Sequence, residues 1–195
     1  MASESQPLAY DLFCGYGGWA DGLLAHGWRV VGYDNEPKCA TRYPGEFVLQ
    51  DVSTIAGSRL AGAGIIVASP PCQRFSEARA SRKHDPATED DLGLLKQAVR
   101  VIREAQPRYW VIENVRGAVP LFSSVLGAPR YSKRPFYLWG RFPPFLVGQS
   151  NLRKMGWYYR PDKGKWFQTP GKRDPRERAR LPLNLTSPIA EACLP

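Results

Sequence analysis

The sequence predicts an α/β fold: a mostly parallel sheet flanked by helices, followed by a small irregular C-terminal module. Three observations carry this expectation. Short apolar runs alternate with segments of helical spacing between residues 8 and 139, and such alternation implies parallel strands joined by right-handed crossovers. A glycine-rich turn, Gly15-Tyr16-Gly17-Gly18, joins the first apolar run to the first helical segment. Beyond Pro143-Pro144 the alternation decays into a basic, aromatic stretch rich in Gly and Pro.

The elements follow in order. Leu8–Phe13 reads as the first strand. Trp19–His26 reads as a helix with Leu23 and Leu24 inward and Gly27 as its stop. Trp28–Tyr33 is the second strand, ending at Asp34-Asn35-Glu36. Pro37 suits the first turn of a short helix over Lys38–Tyr43. Phe47–Leu49 and Ile65–Ala68 are the third and fourth strands. Arg74–Asp91 is polar and aperiodic, hence a loop, and long enough to be functional. Leu92, Leu95, Val99 and Ile102 recur at helical spacing, so Leu92–Ala105 is a helix. Arg108–Ile112 is the fifth strand, Val119–Leu126 a helix, Phe136–Trp139 the sixth strand, and Leu181–Leu194 one short closing helix. The expected organisation is a main α/β domain over 1–147, a small irregular module over 148–180, and a C-terminal helix over 181–195 packing back on the first part.

A chain of 195 residues makes one domain, or one domain with a small appendage. No apolar run reaches the ~18 residues of a membrane span, and the N-terminus lacks a signal pattern, so a cytoplasmic protein without membrane association is expected, as a monomer. Cys14, Cys39, Cys72 and Cys193 form no C-x-x-C pair, which argues against zinc or any other metal site and against a disulfide framework. The net charge of +9 is unevenly spread. Residues 1–122 carry 13 Lys and Arg against 14 Asp and Glu; residues 123–195 carry 14 against 4. A neutral front and a basic back point to a polyanion partner. Aromatics interleaved with the charge around Trp157 and Trp166 favour nucleic acid.

Two segments carry chemistry. In Ser69-Pro70-Pro71-Cys72-Gln73 two prolines stiffen the backbone that aims the cysteine. About forty residues on, the apolar run Tyr109–Ile112 ends in Glu113-Asn114-Val115. A nucleophile and an acid thus stand at the carboxyl ends of two predicted strands, where open α/β sheets bind ligands. That pairing suggests covalent chemistry on an electrophilic ring. Elsewhere, Gly15, Gly17 and Gly18 let backbone approach a ligand. Glu36 can bind two ribose hydroxyls, Asp51 can accept from an adenine amino group, and Phe13 can cover an adenine face. These are the needs of an adenosine without a pyrophosphate. His26 and His84 have no evident partner.

Phe13-x-Gly15-x-Gly17-Gly18, Asn35-Glu36, Asp51, Pro71-Cys72-Gln73 and Glu113-Asn114-Val115 stand in the order and spacing of the DNA (cytosine-5) methyltransferases, and over residues 8–140 the chain resembles that family. The resemblance implies a Rossmann-like, S-adenosylmethionine-dependent methyltransferase fold, S-adenosylmethionine as cofactor and cytosine in double-stranded DNA as acceptor. It implies Cys72 as nucleophile, Glu113 as the acid holding the cytosine, and Pro71 among the donor-site residues. Gln73, Ser76 and Asn114 would shape the nucleophile loop. Arg134 stands in for the active-site arginine, because the usual Gln-x-Arg-x-Arg strand is replaced by Tyr131–Tyr137. Leu183–Ser187 is the candidate remnant of the family's C-terminal donor-binding motif, and Pro37 replaces the aromatic that usually follows Asn-Glu. Members are usually longer; short ones resemble phage-encoded methylases, which suggests a viral or prophage origin.

The chemistry explains the residue types. Carbon 5 of cytosine becomes nucleophilic enough once a thiolate adds at carbon 6. Arg134 or Arg74 could favour that thiolate, and a protonated, buried Glu113 could donate to ring nitrogen 3. The target base must leave the stack, and Arg74, Arg79, Arg82 and Lys83 have the charge to meet it and its phosphates. Arg153, Lys154, Arg160, Lys163, Lys165, Lys172 and Arg173 predict salt-dependent binding, with Trp157 or Trp166 able to wedge into the vacated gap. So small a module predicts a short site of about two to four base pairs. Two other readings stay open: an RNA cytosine-5 methyltransferase, which Arg116-Gly117-Ala118 disfavours, and a non-catalytic nucleic-acid-binding subunit.

Overall fold

The computed structural model describes residues 6–75, 87–146 and 180–195, together with the backbone of the strands 157–160 and 165–168. A seven-stranded sheet comprises β1 (Leu8–Leu12), β2 (Arg29–Asp34), β3 (Glu46–Leu49), β4 (Ile65–Ala68), β5 (Tyr109–Asn114), β6 (Tyr131–Lys133) and β7 (Phe136–Arg141), in the order β3-β2-β1-β4-β5-β7-β6. The first five strands are parallel; β7 runs antiparallel to both β5 and β6. The chain builds outward from β1 to β3, then returns to place β4 on the other side of β1. The order therefore reverses between β1 and β4, and crevices form at the carboxyl ends of strands flanking such a switch point.

Every side chain of β4 is fully buried, as expected of a central strand covered on both faces. Ile65 and Val67 face one core with Trp19, Leu23, Trp28, Leu185 and Ile189; Ile66 and Ala68 face the other with Leu95, Ile102, Phe122 and Trp139. The first layer is supplied by helices α1 (Gly18–Ala25) and α4 (Leu183–Ala192), the second by α2 (Gly93–Ala105) and α3 (Val119–Leu126). All four apolar residues that predicted α2 are buried.

Several expectations need correction. Leu24 is 37% exposed, because the buried stripe of α1 is Trp19, Ala20 and Leu23. Strand β5 runs on through Glu113 and Asn114, which pair with Leu138 and Tyr137 of β7. The short helix after Pro37 is a 3-10 helix over Pro37–Thr41. The segment predicted as loop to Asp91 ends in a 3-10 turn, Glu89–Leu92, with a capping box between Thr88 and Asp91. His26 does have a partner: its Nε2 lies 2.7 Å from Ser187 Oγ on α4.

The C-terminal segment lies on α1. Arg180 donates twice to Asp21, at 2.9 and 2.7 Å. Trp28 Nε1 donates to Ala190 O at 3.1 Å. Gly22 permits the contact between the helices, since a Cβ there would stand 2.5 Å from Thr186 Oγ1. Leu183–Ser187 thus forms the N-terminal half of a helix docked beside the glycine-rich turn. Within the basic stretch, β8 (Trp157–Arg160) and β9 (Lys165–Gln168) pair antiparallel, with Arg160 opposite Lys165.

Candidate active site

One edge of the candidate site is built from the ends of β1, β2 and β3. Phe13 leaves β1 at φ 58°, a left-handed conformation rare for a residue with a Cβ. Gly15 and Gly17 follow at φ 51° and 82° and turn the chain into α1. A Cβ on Gly15 would meet nothing within 4 Å, so this backbone borders open space. Asp34 fixes the turn: Oδ2 accepts from Gly15 N at 3.0 Å and Oδ1 from Glu36 N at 3.0 Å. Its role was missed in the sequence, although an acid closing β2 opposite the glycines was the available signal.

Glu36 and Asp51 each stand two residues beyond the paired strand ends Asp34 and Leu49, so the register of β2 and β3 brings them to the same edge. Both also act as caps. Glu36 Oε1 accepts from Lys38 N at 3.4 Å and Asp51 Oδ1 from Ser53 N at 2.7 Å. The Ser53 side chain and N–H hold the Asp51 carboxyl below the usual range, so it is ionised at neutral pH. Four sites on each carboxylate leave acceptors for a ligand. Open space beside Gly15, with two carboxylates at adjacent strand ends, fits an adenosine-bearing donor.

The second half of the site starts at β4. Ala68 lies level with Leu12 of β1 and Ile112 of β5. Ser69 Oγ accepts from Trp19 Nε1 at 3.1 Å. Asn114 Nδ2 donates to Pro70 O at 2.9 Å, a buried bond between residues 44 apart in sequence, while Asn114 Oδ1 accepts from Val115 N at 2.9 Å. Phe75 N bonds back to Cys72 O at 3.0 Å, closing a turn, and the Phe75 ring meets Phe122 edge-on at 5.3 Å. Cys72 is half-buried at this turn, whereas Cys14, Cys39 and Cys193 are buried. Burial pushes the Cys193 thiol up to about 12 and that of Cys14 higher still, which makes both poor nucleophiles. Glu113, 5% exposed, precedes Asn114 on β5.

Arg134 lies in the turn between β6 and β7 and is exposed. Tyr137 pairs with Asn114, so this turn extends past the carboxyl end of β5, along the edge that holds Cys72 and Glu113. Gln73 and Pro71 are exposed beside Cys72. Arg74 donates Nε to Asp91 Oδ1 at 2.5 Å and Nη2 to Oδ2 at 3.1 Å. Ser76, Arg79, Arg82, Lys83, Arg153, Lys154, Lys163, Lys172 and Arg173 lie outside the described residues, and Trp157, Arg160, Lys165 and Trp166 are described as backbone only. Among the described residues no cluster of His, Cys, Asp and Glu could hold a metal, and no helix is long and apolar enough to cross a membrane.

Residues 9–121 match the family model described as C-5 cytosine-specific DNA methylase. The Type II methylase M.HgiDII of Herpetosiphon aurantiacus is 34% identical over 116 residues, covering 54% of this chain and 32% of that protein. The orphan methyltransferase M.Rho11sI of Bacillus phage rho11s is 35% identical over 119 residues, covering 56% of this chain and 23% of that protein. The chain thus matches about a third or less of the length of these relatives. The methyltransferase EhMeth of Entamoeba histolytica superimposes with a TM-score of 0.50 at 16% identity, over 77% of this chain and 56% of that one, a likeness of fold alone.

Proposed function

The chain belongs to the C-5 cytosine-specific DNA methylase family, and on that premise we propose that it methylates carbon 5 of a cytosine in double-stranded DNA. The observation that carries the reading is the Asn114–Pro70 hydrogen bond, which ties the turn bearing Cys72 to the strand bearing Glu113. S-adenosylmethionine, when bound, supplies the methyl group; the edge formed by Phe13, Gly15, Gly17, Gly18, Glu36 and Asp51, with Pro71 alongside, is where it would be held.

Cys72 adds as thiolate to carbon 6 of a flipped-out cytosine, forming a carbon–sulfur bond and placing electron density on carbon 5. Glu113, buried near the end of β5, holds the ring and donates a proton toward nitrogen 3. Arg134 supplies positive charge at the same edge. After carbon 5 accepts the methyl group, with S-adenosylhomocysteine as the leaving group, hydrogen 5 leaves as a proton to a base, the thiolate departs and the proton at nitrogen 3 returns to Glu113, which restores the ring. The region around β8 and β9 serves as a reduced recognition module on the 1–147 catalytic domain, and the enzyme works as a cytoplasmic monomer.

The test is trapping. DNA carrying 5-fluorocytosine should form a stable adduct with the wild type, because fluorine cannot leave as a proton. Cys72→Ser should form none and should lose transfer by several powers of ten while keeping its fold. Labelled donor offered with DNA or RNA separates the substrates. An active wild type that forms no adduct would reject the covalent route.

A further inference from the structure

The guanidinium of Arg74, two residues beyond Cys72, grips Asp91 through two bonds at 2.5 and 3.1 Å. This fork is the strong form of an arginine–carboxylate pair. Asp91 is itself fixed. Its Oδ2 also accepts from Thr88 N at 2.9 Å, within a capping box, and Leu92 and Leu95 just beyond it are buried in the core. The Asp91 side chain is 15% exposed, the Arg74 side chain 37%. Between the Cys72 turn and the start of α2 lies a cavity of about 280 Å³, bordered by Pro70, Pro71, Phe75, Leu94 and Phe122. Arg74 and Asp91 stand on the wall of that cavity, beside the contact of Phe75 with Phe122.

We infer that Arg74 is a positioning residue, which with Asp91 sets the Cys72 turn at a fixed distance from α2, and is not a contact to the DNA backbone. The inference rests on the reading of Cys72 as nucleophile. The pair is partly exposed, so solvent screens part of its contribution to global stability, and two residues from Cys72 its effect falls on the aim of the thiol. A displacement of about 1 Å at a reacting group costs on the order of a hundredfold in rate.

The experiment compares wild type, Arg74→Ala, Arg74→Lys, Asp91→Asn and the Arg74→Ala/Asp91→Asn double variant. The rate at which iodoacetamide alkylates Cys72, followed by peptide mass spectrometry, should rise about threefold or more in Arg74→Ala and Asp91→Asn as the turn loosens. Their kcat should fall about 10- to 100-fold, with KM for DNA within about twofold and the salt dependence of binding unchanged. Arg74→Lys should recover part of kcat, and the double variant should be no worse than either single, as for two halves of one interaction. Wild-type alkylation rates in both single variants would overturn the inference. So would weakened DNA binding with a salt slope lower by about one in Arg74→Ala beside a neutral Asp91→Asn, the signature of a phosphate contact. If the wild type transfers no methyl group, the proposed function fails, and the alkylation rates still decide the clamp.

Discussion

Gly117 leaves the space that the carbonyl oxygen of Phe75 occupies: a Cβ at 117 would stand 1.9 Å from that oxygen. Phe75 closes the turn around Cys72, so the segment after β5 packs directly against the backbone of that turn. Gly117→Ala should therefore push Phe75 away and destabilise the protein by about 1–3 kcal/mol, as overpacking does. Methyl transfer should fall further than the loss of folded protein explains. Gly93→Ala is the contrast, because a Cβ there meets nothing within 4 Å at the start of α2. It should be neutral or stabilise by about 0.4–1 kcal/mol. Urea midpoints for the two variants check the pair of expectations.

The Asn114–Pro70 bond predicts a different pattern. Asn114→Ala strands a buried carbonyl at Pro70 and a Val115 N–H that Asn114 Oδ1 now satisfies. Leaving such groups unpaired costs about 1–3 kcal/mol each. Asn114→Asp keeps an acceptor for Val115 but sets a buried carboxyl group against the Pro70 carbonyl, so it should be less stable than wild type. In transfer it should resemble Asn114→Ala, because the Cys72 turn is released in both. Equal activity of Asn114→Asp and wild type would remove this bond from the catalytic geometry.

Much of this arrangement was legible in the residues. Strand β4 and helix α3 stand where their apolar runs placed them, since a fully buried strand needs no partner to announce it. The proline-flanked cysteine and the Glu-Asn-Val segment could be placed at the carboxyl ends of two strands from the apolar runs before them; the hydrogen bond joining them spans 44 residues, and periodicity cannot see such a contact. The same blindness hid Asp34, whose bond from Gly15 N ties the turn after β1 to the end of β2, and Asp91, which reads in sequence as one more surface acid. Leu24 misled because it lies off the stripe of Trp19, Ala20 and Leu23 that α1 buries. The β6–β7 hairpin was half-seen, because Tyr131–Lys133 is too short and polar to read as a strand.

The donor-side carboxylates can be separated from their capping roles. If the two carboxylates hold the adenosine, Glu36→Ala and Asp51→Ala each lose that contact and a cap on a 3-10 turn, so both should weaken S-adenosylhomocysteine binding by about 1.5–3 kcal/mol, roughly ten- to a hundredfold. Asp51→Asn retains an oxygen for Ser53 N at the position where Oδ1 now accepts, 2.7 Å away, and should keep the turn. If the carboxylate contacts the ligand, Asp51→Asn should still bind S-adenosylhomocysteine more weakly than wild type, with thermal stability nearly unchanged. Isothermal titration calorimetry reads the affinity. Unchanged affinity in Glu36→Ala would place the adenosine elsewhere.

Asp11 gives a pH dependence whose sign can be worked out. It is 1% exposed on β1, and Tyr43 Oη donates to its Oδ2 at 3.2 Å. Burial raises its carboxyl well above the ordinary range, against the opposing hydrogen bond from Tyr43, and the Asp34 and Asp21 carboxylates push it the same way. The unfolded chain releases this proton near pH 3.9, whereas the folded chain keeps it to higher pH. Between those two values the folded state binds more protons. The contribution of Asp11 to stability is thus full below about pH 3.9 and is lost as pH rises toward the folded value, by up to about 1.4 kcal/mol per pH unit. Asp11→Asn keeps an acceptor for Tyr43 and does not titrate, so it removes this slope. Urea unfolding from pH 4.5 to 7.5 should show the variant gaining on the wild type steadily as pH rises. Tyr43→Phe, which removes the donor and leaves the carboxyl in place, should destabilise and keep the slope. A stability difference between Asp11→Asn and wild type that stays flat across this range would mean that Asp11 is ionised in the fold.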